Sequence, residues 1–154
     1  MAAAPIIVGH WEQSYLAPLT ETPFWALPLR DFGVADWWMH PVSGVRSSEA
    51  LVTLHERANL HDCLAELADR TFVFVEPPTP AFPATMNPEW LTEFEHPDDA
   101  VYVFGSAHFN PLLQGYDPNQ DRHVAIETVD NKGVLWPHQV AVTVLHDRLV
   151  KSWR

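Results

Sequence analysis

The stretch EFEHPDDAVYVFGS, Glu93 to Ser106, decides how this chain folds. Its centre, Ala100-Val-Tyr-Val-Phe104, is a continuous apolar run that ends directly in Gly105. A run of strand length with no polar alternation predicts a strand buried on both faces, the environment of a parallel sheet. In α/β proteins, ligands sit outside the carboxyl ends of such strands, so the Gly-bearing turn at Gly105 is the first place to look for function. The stretch VLWPHQVAVTVLHDR, Val134 to Arg148, lies downstream; proline suits a first helical position, so it predicts a final helix from about Pro137 to the end. Val142, Leu145, Leu149 and Trp153 fall at i, i+3, i+7 and i+11, one stripe of that helix.

Working outward, Thr71-Phe-Val-Phe-Val75 is strongly β-prone and ends at Glu76-Pro77-Pro78. Ile6-Ile-Val8, Val34 to His40 and His123 to Thr128 supply further strands. Asn59 is placed to cap a helix from Leu60 to about Asp69, with Leu60, Leu64, Leu67 and Ala68 at helical spacing. Pro18, Pro23 and Pro28 interrupt residues 15 to 30, where at most a short helical turn is expected. The Pro-rich stretch from Pro77 to Pro88 reads as an ordered surface loop, and Trp90 to Phe94 as a brief helix. Strands and helices in this order predict one α/β domain over residues 1–154, with three layers and a largely parallel sheet.

Composition narrows the function classes. The chain has 154 residues, 47% of them hydrophobic, and a formal net charge of −11, which disfavours a broad grip on duplex DNA while leaving RNA open through local contacts. No apolar run approaches the roughly 18 residues of a membrane span, and MAAAPIIVGHWE lacks the features of a signal peptide. Cys63 is the single cysteine, so no internal disulfide is possible and a cytoplasmic location is expected.

Several familiar chemistries fall away. His55-Glu56 begins like a zinc-protease helix, but Asn59 stands where the second histidine belongs, and no metal site is expected. Gly105-Ser106-Ala107-His108 lacks the second glycine of a nucleophile elbow. Phe109 to Gly115 has the Phe, Pro and Gly spacing of a nucleotidylyltransferase phosphate motif, but Tyr116 replaces its final histidine. Cys63 sits at an apolar helical position and reads as a buried structural thiol.

Phe94-Glu-His-Pro-Asp-Asp-Ala-Val-Tyr-Val-Phe-Gly105 resembles the second motif region of the SPOUT class of RNA methyltransferases, the trefoil-knotted α/β family. His123-Val-Ala-Ile-Glu-Thr128 resembles the strand that follows it there, and Val140 to Arg148 the final helix. Arg30-Asp-Phe-Gly33 resembles an early segment of the family, and the likeness is concentrated in residues 71 to 150. It implies a C-terminal trefoil knot, a homodimer, an RNA substrate (tRNA or rRNA) and S-adenosylmethionine as cofactor. By position, the cofactor-binding residues would be Glu76 and Pro77, Phe104 and Gly105, and Ile126 and Thr128 with Leu135. The implied reaction is ribose 2′-O methylation, in which a hydroxyl is oriented and loses its proton as it meets an electrophilic methyl group.

The chain departs from the family where the chemistry is done. Ala107 replaces the glutamate usual two residues after the glycine, and Leu135-Trp136-Pro137 replaces a polar triplet before the last helix. Leu27 stands where the family has an arginine, which leaves Arg30 to orient the substrate and His138 to assist. The alternative is a SPOUT-like domain without methyl transfer that works as a binding or assembly module through Trp136 and the Pro-rich loop.

Overall fold

Side chains alternate across a β-strand, so a strand buried on both faces must supply two separate cores. The computed structural model describes residues 3–45, 52–130 and 135–154, and Val134 of the closing stretch lies outside them. Among these residues seven strands form one sheet: β1 (Ile6–His10), β2 (Asp36–His40), β3 (Thr53–Glu56), β4 (Thr71–Val75), β5 (Glu89–Trp90), β6 (Ala100–Phe104) and β7 (Arg122–Ala125). Their order is β3-β2-β1-β6-β4-β7-β5, and every pairing is parallel. Ile7, Trp37, Met39, Val73, Val75, Tyr102 and Phe104 build one core. Their neighbours Ile6, Val8, Trp38, Phe74, Val101 and Val103 build the other.

Helices α1 (Pro18–Asp31) and α3 (Pro137–Ser152) cover the first face, adding Trp25, Leu29, Ala141, Val144 and Leu145 to its core. Helix α2 (Leu60–Ala65) covers the second with Leu60, Cys63 and Leu64. This is the three-layer α/β arrangement with a parallel sheet that the strand pattern predicts. Cys63 is fully buried and its thiol is pushed up to about 12, chiefly by desolvation, which makes it a packing residue. Among the described residues, no helix is long and apolar enough to cross a membrane.

The structure corrects several boundaries. Residues 18–31 form a continuous helix despite Pro23 and Pro28. Pro18 opens it at a position that needs no N–H, and Pro23 lies on the exposed side. Burial of Trp25 and Leu29, with Glu21 accepting the Trp25 Nε1–H at 2.6 Å, holds the helix against its propensity. Helix α2 stops at Ala65, and Leu67 and Arg70 close hydrogen-bonded turns onto Leu64 and Leu67. Its start is as expected, with the Asn59 side chain accepting the Asp62 N–H. Strand β2 begins at Asp36 and β7 ends at Ala125, leaving Ile126 to Thr128 in the following loop. Short β3 and β5 join at the two sheet edges without an apolar run to announce them.

Helix α3 is turned relative to its apparent stripe. Its buried residues are Ala141, Val144 and Leu145, whereas Leu149 is 40% and Trp153 72% exposed. The cause is polar. Lys151 Nζ donates to the carbonyls of Leu91 and Phe94 at 2.6 and 2.9 Å, and Arg148 donates to Pro97 and Asp98. Satisfying those loop carbonyls draws the basic side of the last turns inward and leaves Leu149 and Trp153 outside.

Candidate functional site

The sheet order places β6 between β1 and β4, although β6 follows both in sequence. From β1 the chain runs outward to β2 and β3, then returns to build the other half around β4, β6 and β7. Connections that leave in opposite directions open a crevice at the strands' carboxyl ends. A cavity of about 690 Å³ lies there. Its walls are the segments that follow β4, β6 and β7, with the entry to α3 and the loop after β1.

Each segment reaches the cavity for a local reason. Glu76 N donates to Val124 O at 3.2 Å, which carries the β4–β7 pairing one residue beyond the strand and fixes Glu76 and Pro77 at the edge. After β6 the chain turns tightly: Ser106 N donates to Phe109 O at 3.0 Å and Phe109 N to Ser106 O at 3.3 Å. Only glycine suits position 105 in that turn. A Cβ there would run into the Phe109 carbonyl oxygen and Glu76 Oε1, and would come within 2.8 Å of Pro111 Cδ. Ile126 and Thr128 follow β7, and Leu135, Trp136, Pro137 and Val140 close the opposite side. Thr79 and Phe82 of the Pro-rich loop form part of the wall, and exposed Tyr15 stacks against Trp136 with ring centres 6.5 Å apart.

Glu76, Pro77, Phe104, Gly105, Ile126, Thr128 and Leu135 therefore all line one cavity. Arg30 and His138 are not among its lining residues. Arg30 ends α1 at the surface, where its NH2 group pairs with Asp31 at 3.2 Å. His138 stacks on Phe24 with ring centres 5.2 Å apart and meets Trp25 and Trp136 edge-on. Burial lowers its pKa, and the ring packs between α1 and the start of α3.

Polar groups line the cavity and stand behind its wall. Glu12 is 7% exposed and lines the wall; its Oε2 accepts the Ala107 N–H at 3.1 Å. Its own backbone N–H donates to Glu21 Oε1 at 2.8 Å. Glu76 is pushed up to about 8 by desolvation, which outweighs the opposing hydrogen bond from the Gly105 N–H. The Glu76 carbonyl is 2.9 Å from His123 Nε2. Ser106 Oγ is 2.8 Å from His10 Nδ1, and the His10 ring stacks on Phe109 with centres 4.6 Å apart. His40 packs edge-on against both rings and is lowered to about 4, mainly by burial and then by the nearby His10. Glu12 is hard to find from sequence because it follows the first strand by two residues, far in the chain from Gly105. Only the pairing of β1 with β6 brings them together.

No known family model matches this chain, and a search of characterised proteins finds no match. Solved structures do match in fold. A protein assigned to the TrmH family of RNA methyltransferases from Porphyromonas gingivalis superposes with a TM-score of 0.64 at 14% identity, over 96% of this chain and 60% of that one. A structure described for 2-OH methylation of C/U34 on tRNA gives a TM-score of 0.66 at 12% identity, over 100% and 94% of the two chains. The SpoU methyltransferase AviRb from Streptomyces viridochromogenes, in complex with AdoMet, gives 0.65 at 9% identity, over 99% and 61%. The chain thus spans about 60% of the first and third of these proteins. It has the α/β fold of SpoU and TrmH methyltransferases.

Proposed function

We propose that this protein binds S-adenosylmethionine in the cavity at Gly105 and methylates RNA, at a ribose 2′-hydroxyl of a tRNA or rRNA. The observation that carries this reading is the convergence of the segments after β4, β6 and β7 on one cavity at the carboxyl ends of the sheet. The residues present suit such a cofactor. The volume lies within the range of small-molecule sites, roughly 300–1,000 Å³. Val75, Pro77, Phe104, Ile126, Leu135 and Val140 offer apolar walls to a flat purine. Gly105, without a side chain, lets backbone form the floor. The cofactor supplies an electrophilic methyl group carried on a sulfonium sulfur. The chain's own residues enclose it, hold it against the Gly105 turn and keep water from the apolar side.

The same reading places the protein in the cytoplasm and gives the chain a C-terminal knot and a homodimeric assembly. Support for the dimer comes from α1 and α3, which pack together and leave Leu19, Leu27, Leu149 and Trp153 exposed. A second reading, a binding module without methyl transfer, is favoured by one specific observation. Arg30 pairs with Asp31 at the surface, and no arginine or lysine is among the cavity's described lining residues.

Calorimetric titration with S-adenosylmethionine and S-adenosylhomocysteine tests the cofactor site. Micromolar binding is expected; no binding at millimolar ligand overturns the methyltransferase reading. Incubation with methyl-labelled S-adenosylmethionine and bulk tRNA or rRNA, followed by nucleoside analysis, then separates the alternatives. Label in 2′-O-methyl nucleosides supports the enzyme, whereas binding without transfer supports the module.

A further inference from the structure

The charged lining of the cavity is lopsided. Glu12 and Glu76 bring carboxyl groups to it, and no lysine or arginine balances them among the described lining residues. Both side chains grip the same turn from opposite sides. Glu76, beyond β4, sets its Oε1 against Gly105, where a Cβ would run into it, and Glu12, beyond β1, accepts the Ala107 N–H at 3.1 Å. The other Glu12 oxygen, Oε1, is buried and has no hydrogen-bond partner. A buried acceptor left unmet is costly, and a carboxylate oxygen more so than a neutral one. Desolvation also pushes Glu76 up to about 8, and a cation placed beside it would draw it back towards its ionised form. Two acidic groups in a half-dry cavity, one of them with an unmet oxygen, suit a ligand that carries positive charge.

We propose that Glu12 and Glu76 form a cation-recognition subsite that selects the sulfonium form of the methyl donor over its neutral thioether product. This rests on the methyl-donor reading above and adds the residues that set its charge preference. The two ligands share the adenosine and amino-acid parts and differ by one methyl group and one positive charge at sulfur. Apolar walls treat them almost alike, so discrimination falls to electrostatics, which is strong where water is scarce. Selection of the charged form also speeds turnover, since transfer of the methyl group removes the charge that holds the ligand.

The test is calorimetric titration of wild-type protein, E12Q and E76Q with S-adenosylmethionine, S-adenosylhomocysteine and sinefungin, which carries an amine where the donor carries its methylated sulfur. Wild type is expected to bind the two cationic ligands at least tenfold more tightly than S-adenosylhomocysteine. E12Q is expected to bring that ratio close to one while changing product affinity little, and E76Q to reduce it by a smaller factor. Equal affinities in wild type, or a ratio unchanged in both variants, overturns the proposal. Binding of none of the ligands by wild type removes the methyl-donor reading, and this inference falls with it. Thermal melts check that the variants fold; if E12Q does not, the wild-type ratio and E76Q still decide.

Discussion

At the scale of single residues, Gly105 and Glu76 govern the site. A Cβ at position 105 meets the backbone oxygen of Phe109, which cannot swing aside as a side chain would. Gly105→Ala is therefore expected to cost about 1–3 kcal/mol in urea unfolding and to weaken S-adenosylmethionine binding at least tenfold. Glu76 gives the protein a pH signature. Its folded-state value of about 8 lies above the ordinary value of 4.5, so the folded protein holds a proton that the unfolded chain releases. Stability from this group is full below pH 4.5 and is lost as pH rises towards 8. E76Q should flatten that decline in melting temperature relative to wild type. His40 works in the opposite sense, lowered from 6.5 to about 4. The unfolded chain binds the proton first, so this contribution is present above pH 6.5 and is lost as pH falls towards 4. His40→Phe should flatten the acid limb in the same melts.

At the scale of elements, α1 shows what propensity leaves out. Pro23 lies on the exposed side of a continuous helix and cannot donate to the carbonyl one turn back. Pro23→Ala restores that donor, offset in part by a freer unfolded chain, and should raise stability by about 1–2 kcal/mol in chemical denaturation. The strands were legible where burial on both faces writes a continuous apolar run, as in Ile6 to Val8, Thr71 to Val75 and Ala100 to Phe104. Strand β3, Thr-Leu-His-Glu, was not, because an edge strand needs neither alternation nor a run of large side chains. The stripe on α3 misled because hydrophobic spacing takes no account of carbonyls waiting for Arg148 and Lys151. At the cavity, the Gly105 turn was legible as the end of a buried strand, whereas Glu76, Pro77, Ile126, Thr128 and Leu135 came from the family resemblance, and Ile126 and Thr128 were expected within a strand that stops at Ala125. Glu12 was not legible, since its relation to Ala107 exists only once β1 and β6 are paired.

At the scale of the whole molecule, the exposed apolar residues of α1 and α3 ask for cover. Leu27 is 52% and Trp153 72% exposed on the helical layer that shields the first core. Sedimentation at micromolar concentration is expected to show a dimer, and Leu27→Asp with Trp153→Asp to shift it to monomer without loss of the folded far-ultraviolet spectrum. A monomeric wild type counts against the assembly. The position of β6 has a further consequence, in time rather than space. As the chain emerges from the ribosome, β1, β2 and β3 come out first and β4 later, yet the strand that joins them is made only when residue 104 has been added. Until then β1 carries a bare apolar edge, and β4, whose partners β6 and β7 both come later, stands unpaired. Birth of this protein thus includes an interval in which a three-stranded sheet waits beside a strand with no neighbour, and the segment that ends the interval is also the one that builds the floor of the cavity.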